Sequence, residues 1–170
     1  MAASDQEKTA GGGRLTHLAP DGHARMVDVS EKSISQRTAI AEGRIRMSPE
    51  ALDAIEAGNV EKGDVIQVAR LAAISAGKRT GDLIPLCHML PGASFTLDVT
   101  MDRALPGIVM RAEVKVAGQT GVEMEALTAV TVGLLTVYDM AKALDRGMMI
   151  EGVRILLKDG GKSGHWSANE

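Results

Sequence analysis

The sequence predicts an α+β domain in which helices pack on one face of a mainly antiparallel sheet. The predicted elements follow the order strand, helices, hairpin, long helix and strand, so hairpins replace the regular strand–helix–strand units of a parallel sheet. The length of 170 residues is that of one ordinary domain, and an apolar share of 45% is normal for a globular protein.

Each element in the first half has its own local signal. Alternation of apolar and polar residues over 37–47 predicts the first strand. Residues 48–50, Ser-Pro-Glu, predict a helix start with Ser as the N-cap, and Gly and Asn at 58–59 predict its end. Apolar residues at helical spacing predict a second helix over 64–78.

The second half begins with two alternating segments, 94–102 and 107–117, whose short connection predicts a hairpin. A long helix is predicted over 122–145. Its central turns carry no charge, so this helix is expected to be buried nearly all round. A last strand over 149–157 completes the fold.

A single domain is expected at residues 23–165, between two tails. Residues 1–22 are polar, contain three consecutive glycines and predict a flexible N-terminal tail without the apolar core of a signal peptide. Residues 166–170 predict a short C-terminal tail. The chain has no run of ~18 uninterrupted apolar residues, and its lone Cys87 fits a reducing compartment, so a cytoplasmic protein without a membrane span is expected.

Composition excludes several classes of function. The formal net charge is −3 and only three residues are aromatic, which is unlike a general nucleic-acid binder with its excess of bases and its stacking rings. No second Cys or His lies near Cys87 or His88, so no metal site is predicted.

The net charge nevertheless averages over segments of opposite sign. Segments 62–79 and 154–164 each carry more bases than acids, and together they would form an anion pocket. The GGKS stretch at 160–163 is not a Walker motif, because Leu156 occupies the place of the required first glycine and too few residues remain for a helix. A glycine-rich turn that presents N–H groups to a phosphate is compatible with this stretch.

The titratable candidates each allow two interpretations. Asp139 and Lys142 stand three residues apart on one helix face, as a surface ion pair or as a pair that exchanges protons with a substrate. Glu123 and Glu125 either complement the helix dipole or bind a ligand. His88 is either a packed loop residue or a site residue.

Six segments taken together resemble the molybdenum-cofactor biosynthesis protein C family, the cyclic pyranopterin monophosphate synthases. The resemblance covers roughly residues 15–165. The segments are MVDVSEK (26–32), KGDV (62–65), AGKRTGDLIPLCH (76–88), TGVEMEALTAV (120–130), TVYDMAKA (136–143) and GGKSG (160–164).

This resemblance implies a fold, an assembly and a reaction. The fold would be a ferredoxin-like sandwich, assembled as a homo-hexamer of three dimers with the sites at the dimer interfaces. The reaction would rearrange 3′,8-cyclo-7,8-dihydro-GTP to cyclic pyranopterin monophosphate and release pyrophosphate, which makes the protein a lyase. No cofactor would be required, although Mg²⁺ could accompany the pyrophosphate.

The resemblance also implies site residues. Lys62, Asp139 and Lys142 would form the catalytic acid/base set. The positions that would bind substrate, with the basic ones on the triphosphate and the acids on the guanine-derived ring, are Arg37, Lys78, His88, Glu123, Met124, Glu125, Lys158 and Lys162. The chain departs from the family pattern at Met89, where a Pro usually follows the His and would stiffen the chain beside His88.

Two alternatives remain at this point. A non-catalytic oligomeric protein could bind the cyclised GTP intermediate or its partner enzyme. The intact set of Lys62, Asp139 and Lys142 favours the enzyme over this reading. A generic nucleotide hydrolase is disfavoured because the sequence lacks a Walker motif and an acidic metal cluster.

Overall fold

The computed structural model describes His23 and residues 26–168; the predicted N-terminal tail, 1–22, lies outside the described residues. The described part of the chain forms five strands and four helices. Their bounds are β1 Ser35–Arg46, α1 Pro49–Glu56, α2 Val65–Gly77, α3 Thr80–Leu83, β2 Ser94–Asp102, β3 Gly107–Gly118, α4 Glu123–Ala141, β4 Met149–Asp159 and β5 Trp166–Ser167.

The strands form one sheet in the order β2-β3-β1-β4-β5, and every neighbouring pair is antiparallel. Without the short α3 and β5, and with α1 and α2 as one helical connection, the chain follows the strand–helix–strand–strand–helix–strand pattern of ferredoxin-like folds. The α+β class and the predicted hairpin of β2 and β3 are therefore confirmed.

The core lies between one face of the sheet and the helices. Alternate residues of β1 and β3, such as Ala41 and Met110, are fully buried, as expected for strands with one face on the core. Gly133 lies where α4 crosses α2, because a Cβ there would be 3.2 Å from the Cβ of Ala73 and would overlap the side chain of Met110. The aromatic-poor composition thus gives a core of small and aliphatic side chains.

The predicted start of α1 is confirmed, since the Ser48 hydroxyl accepts a hydrogen bond from the Ala51 N–H at 3.2 Å and Pro occupies the first turn. Asp64 caps α2 in the same way, accepting from the Gln67 N–H at 3.0 Å. This cap fixes the loop between α1 and α2, which carries Lys62.

The long helix is shorter than predicted, since α4 ends at Ala141 and not at residue 145. The Asp145 carboxylate instead accepts hydrogen bonds from the backbone N–H groups of Ser48 and Gly147, at 2.8 and 2.7 Å. These bonds turn the chain towards β4 and tie it to the start of α1.

The expectation that this helix is buried nearly all round is wrong for a single chain. Leu135 of α4 is 54% exposed and Leu71 of α2 is 69% exposed, both on the side away from the sheet. By length and composition alone α4 could cross a membrane, but its inner stripe packs on α2 and the sheet, the arrangement of a core helix. The helical layer therefore leaves an apolar outward face.

The predicted C-terminal tail contains a short strand. Trp166 and Ser167 form β5, which pairs with Leu157 and Lys158 of β4 and extends the sheet by one edge. The last two residues, 169–170, lie outside the described part of the chain.

Candidate active site

Lys62, Asp139 and Lys142 meet at the C-terminal end of α4 and are here called the amine cluster. The Asp139 carboxylate accepts from Lys142 Nζ at 2.7 Å through one oxygen and from Lys62 Nζ at 2.7 Å through the other. Lys62 also donates to the backbone carbonyl of Asp139 at 2.9 Å. The structure thus brings together the three residues that sequence reasoning joined, although Lys62 is distant from the others in the chain.

The two amines control the charge of the carboxylate. Hydrogen bonds from Lys142 and then Lys62, with the positive charge of both, lower the pKa of Asp139 to about 2. Asp139 is therefore ionised at neutral pH and cannot carry a proton there in this arrangement. All three side chains are about half exposed, so a substrate can reach them.

A cleft of about 1040 Å³ opens at the other end of α4 and is here called the polar cleft. It lies between the segment before β1, the chain leading into α4 and the glycine-rich turn after β4. Its charged lining consists of four bases and four acids: Lys32, Arg37, Lys158, Lys162, Asp28, Glu31, Glu123 and Asp159. Its size suits a small-molecule ligand.

Arg37 forms part of the wall of this cleft. Its Nε donates to the Gly118 carbonyl at 3.3 Å and its Nη2 donates to the Gln119 carbonyl at 3.4 Å. Because β1 pairs with β3, this guanidinium is anchored to the chain that leads into α4. Arg37 thus has a fixed position, as a bidentate anion contact requires.

Lys158 projects into the cleft from the end of β4. Its Nζ lies 3.9 Å from a Glu123 carboxylate oxygen and donates to the hydroxyl of Ser163. Lys158 is only 24% exposed, whereas Lys162 is exposed on the neighbouring turn. The acid and the hydroxyl therefore hold one of the two bases that sequence reasoning assigned to this turn.

His88 does not line the cleft. Its Nε2 donates to the Val27 carbonyl at 2.9 Å and so holds the segment that passes in front of the cleft. The Gln119 side-chain amide holds the same segment, donating to the Ser30 and Lys32 carbonyls at 3.1 and 2.9 Å. The His88 side chain therefore binds the protein backbone and does not face the cleft.

The three residues of the VEMEA block differ in exposure. Glu123 lines the cleft and Met124 is 39% exposed, but Glu125 is 3% exposed. One Glu125 carboxylate oxygen lies 3.9 Å from the sulfur of Cys87, and the other has no hydrogen-bond partner. Burial, together with the charge of Glu123, raises the pKa of Glu125. The inward position of Glu125 separates it from the cleft-facing Glu123.

The amine cluster and the polar cleft lie at opposite ends of α4. Asp139 follows Glu123 by sixteen residues, which corresponds to about 24 Å along a helix axis. Lys78 is exposed at the end of α2 that lies beside the start of α4. The structure therefore brings all the predicted substrate-binding residues to one end of α4 and all the predicted catalytic residues to the other.

No group of three or more His, Cys, Asp or Glu side chains in the described residues could hold a metal ion. In the polar cleft, the Glu123 carboxylate is paired with the basic side chain of Lys158.

Sequence reasoning missed several residues of the cleft. Lys32 and Ser163 lie within recognised segments but were given no role, and Gln119 lies just before one of them. The glycines of the GGKSG turn were considered only as phosphate-facing N–H donors. The spacing of these glycines predicts the turn. It does not predict that Arg37 contacts the turn, because that contact depends on the pairing of strands that are distant in the sequence.

The fold and the site define a class: a ferredoxin-like α+β protein with a polar cleft of a size for a small molecule, in which Arg37 and Lys158 are held in place. Comparison with known proteins specifies the family. The family model described as the MoaC family matches residues 26–161. The chain belongs to the MoaC family.

Curated relatives extend the similarity over nearly the whole chain. The chain is 58% identical over 155 residues to the cyclic pyranopterin monophosphate synthase of Cereibacter sphaeroides, covering 91% of this chain and 98% of the relative. It is 61% identical over 154 residues to the protein of that name from Methylobacterium nodulans, covering 91% and 96%. For the Dinoroseobacter shibae protein the identity is 55% over 154 residues, covering 91% and 98%.

Proposed function

We propose that this chain is a cyclic pyranopterin monophosphate synthase, a lyase of molybdenum cofactor biosynthesis. It would convert 3′,8-cyclo-7,8-dihydro-GTP to cyclic pyranopterin monophosphate and release pyrophosphate. The observation that carries the proposal is the 55–61% identity, over 91% of the chain, to relatives of that name. The polar cleft and the amine cluster supply groups that such a reaction needs.

The polar cleft would bind the triphosphate. Closure of the cyclic phosphate requires a substrate hydroxyl to attack the α-phosphorus while the bond to the β-phosphate breaks and pyrophosphate leaves. Arg37 and Lys158 would neutralise the charge that develops on the leaving group, with Lys78 and Lys162 nearby. Glu123, at the same end, would accept hydrogen bonds from amino groups of the guanine-derived ring.

The amine cluster would carry the proton transfers of the ring rearrangement. Asp139 stays ionised at neutral pH, so its role in this proposal is to orient the two amines that it binds. Lys62 and Lys142 are then the groups that exchange protons with the substrate. This refines the acid/base set predicted from the sequence by giving the carboxylate a supporting part.

One chain alone cannot bring both groups to one substrate, because about 24 Å of helix separates them. We therefore propose that each active site combines the polar cleft of one chain with the amine cluster of another. The outward apolar face of α2 and α4, with Leu71 and Leu135, is a surface that a second copy would cover. A homo-hexamer built from three such dimers, located in the cytoplasm, is part of this proposal.

Turnover of the cyclised GTP intermediate by the purified protein tests the activity. Release of pyrophosphate together with cyclic pyranopterin monophosphate is expected. Adding and chelating Mg²⁺ in the same assay tests whether the metal accompanies the pyrophosphate. Binding of the intermediate by correctly assembled protein, without product, would instead support the non-catalytic binding protein.

Mixing two variants, each impaired in a different half of the proposed site, tests whether the site is shared. Lys142→Ala damages the amine cluster and Arg37→Ala damages the cleft, so a mixed dimer contains one site with both parts intact. After dissociation and random reassembly of equal amounts, activity at substrate concentrations far below the KM is expected to rise to about a quarter of the wild-type value, since half of the dimers are mixed and each has one good site. Adding Leu135→Glu to both variants is expected to abolish this recovery. No recovery in mixed assemblies that are shown to form would place the site within one chain.

A further inference from the structure

The turn that follows β4 makes an unusually close contact with Arg37. Gly160 and Gly161 both have positive φ angles, +94° and +74°, and both line the polar cleft. The left-handed region favours glycine. A turn of this kind needs glycine for its backbone alone, so the contact with Arg37 is a second, separate requirement.

A side chain at Gly161 would occupy the space of the Arg37 guanidinium. A Cβ built there would overlap Nη1, and it would lie 2.7 Å from Cζ and 3.2 Å from Nη2. The opposite side of the guanidinium is held by the Gly118 and Gln119 carbonyls, which accept from Nε and Nη2. The guanidinium is thus enclosed between two carbonyls and a bare glycine.

These contacts determine which N–H groups of Arg37 remain available to a ligand. Of the five N–H donors of the guanidinium, Nε–H and one N–H of Nη2 are engaged, and among the described residues none accepts a hydrogen bond from Nη1. The two N–H groups of Nη1 and the second N–H of Nη2 therefore form the end of the side chain that can bind an anion in the cleft.

We propose that Gly161 is a positioning residue for Arg37: the missing side chain leaves room for the guanidinium to stand at the cleft wall in an anion-binding orientation. The proposal rests on the proposed function, in which Arg37 binds the triphosphate. The positioning role does not depend on one particular substrate, because any phosphorylated ligand in the cleft would contact the same guanidinium.

Alanine substitutions at three glycines of this turn differ in what the added Cβ would contact. Gly164 has a positive φ of +59° like Gly161, but a Cβ there would meet nothing within 4 Å. Gly164→Ala therefore reports the backbone cost alone. A Cβ at Gly160 would overlap the Gln36 backbone oxygen, so Gly160→Ala disturbs the chain itself and is not informative about Arg37.

The experiment measures kcat and KM for the cyclised GTP intermediate, and the affinity for inorganic pyrophosphate by calorimetry, in four variants. These are Gly161→Ala, Gly164→Ala, Arg37→Ala and the double variant with Gly161→Ala and Arg37→Ala. Gly161→Ala is expected to raise KM and weaken pyrophosphate binding about 10-fold, the scale of one charge-assisted contact. Gly164→Ala is expected to leave both within about 2-fold of wild type, because it changes only the backbone cost.

The double variant separates positioning from general damage to the fold. If Gly161 acts through Arg37, the double variant has the same KM as Arg37→Ala, since the second change has nothing left to displace. Equal effects of Gly161→Ala and Gly164→Ala, or additive effects in the double variant, would overturn the proposal.

Failure of the proposed function gives a different result. If the wild-type protein makes no product, pyrophosphate affinity still compares Gly161→Ala with Gly164→Ala. If Arg37→Ala has a normal KM and a normal affinity for pyrophosphate, the role of Arg37 is wrong and the positioning proposal falls with it. If Arg37→Ala binds pyrophosphate weakly and Gly161→Ala binds it normally, only the positioning role of Gly161 is overturned.

Discussion

The two ends of α4 present opposite kinds of site. At its C-terminal end, Lys62, Asp139 and Lys142 form a compact cluster whose side chains are about half exposed. At its N-terminal end, the polar cleft has a volume of about 1040 Å³, and two of its bases are held in place, Arg37 by backbone carbonyls and Lys158 by neighbouring side chains. One end carries the exposed amines that the proposal assigns to proton transfer, and the other carries the cleft that the proposal assigns to the triphosphate. In the proposed function, each end is therefore half of a site.

The largest effect is expected at the exposed end. Lys142→Ala should lower kcat about 1000-fold, because it removes a proton-transfer group, while the free energy of unfolding stays nearly unchanged since the side chain is exposed. Steady-state kinetics and denaturant unfolding measure the two quantities. Lys115→Ala is a matched control, since Lys115 is 53% exposed and forms an ion pair with Glu113 at 2.9 Å on the sheet. A similar loss of kcat in both variants would contradict the assignment.

A smaller and different effect is expected in the cleft. Lys158→Ala should raise KM about 10-fold and lower kcat by less than that factor, because it removes one charged contact to the triphosphate. The two ends would then be distinguished by which kinetic constant changes most. A loss confined to kcat, with KM unchanged, would mean that Lys158 belongs with the proton-transfer groups.

The smallest effect concerns the stability of the amine cluster as a function of pH. Because the folded-state pKa of Asp139 is below its unfolded value of ~3.9, its ion pairs stabilise the fold above about pH 4, and this contribution is lost as the pH falls through about 2. The difference in Tm between the wild-type protein and Asp139→Asn should therefore be constant near neutral pH and shrink below about pH 4. It should stay within a few degrees, because the pairs are exposed. A difference that grows on acidification would contradict this sign.

Much of the fold follows from local sequence signals. The Ser48 cap, the alternating strands and the apolar stripe of α4 each depend on neighbouring residues, and these elements are present in the structure with small shifts at their ends. The end of α4 could not be predicted, because it depends on the bonds between Asp145 and the distant backbone of Ser48. The absence of charge along α4 predicts more burial than the structure shows, because an uncharged helix face can also remain exposed in a single chain.

The candidate site shows the same division. Asp139 and Lys142 share a helix face, so the sequence alone pairs them, whereas Lys62 reaches them only through the packing of α2 on α4. The division of residues between the two ends of α4, and the separation of Glu125 from Glu123, are properties of the three-dimensional arrangement. Resemblance to a family named the residues, but only the structure locates them relative to one another.

The short strand β5 gives the cleft an optical reporter. Trp166 is the sole tryptophan of the chain, and it pairs in register with Lys158, whose side chain projects into the polar cleft. Its indole is half exposed, so its emission depends on the solvent and charge around that edge of the sheet. With no other indole to contribute background, the intrinsic fluorescence of the unlabelled protein monitors a single location, the strand residue paired with the base that would bind the ligand.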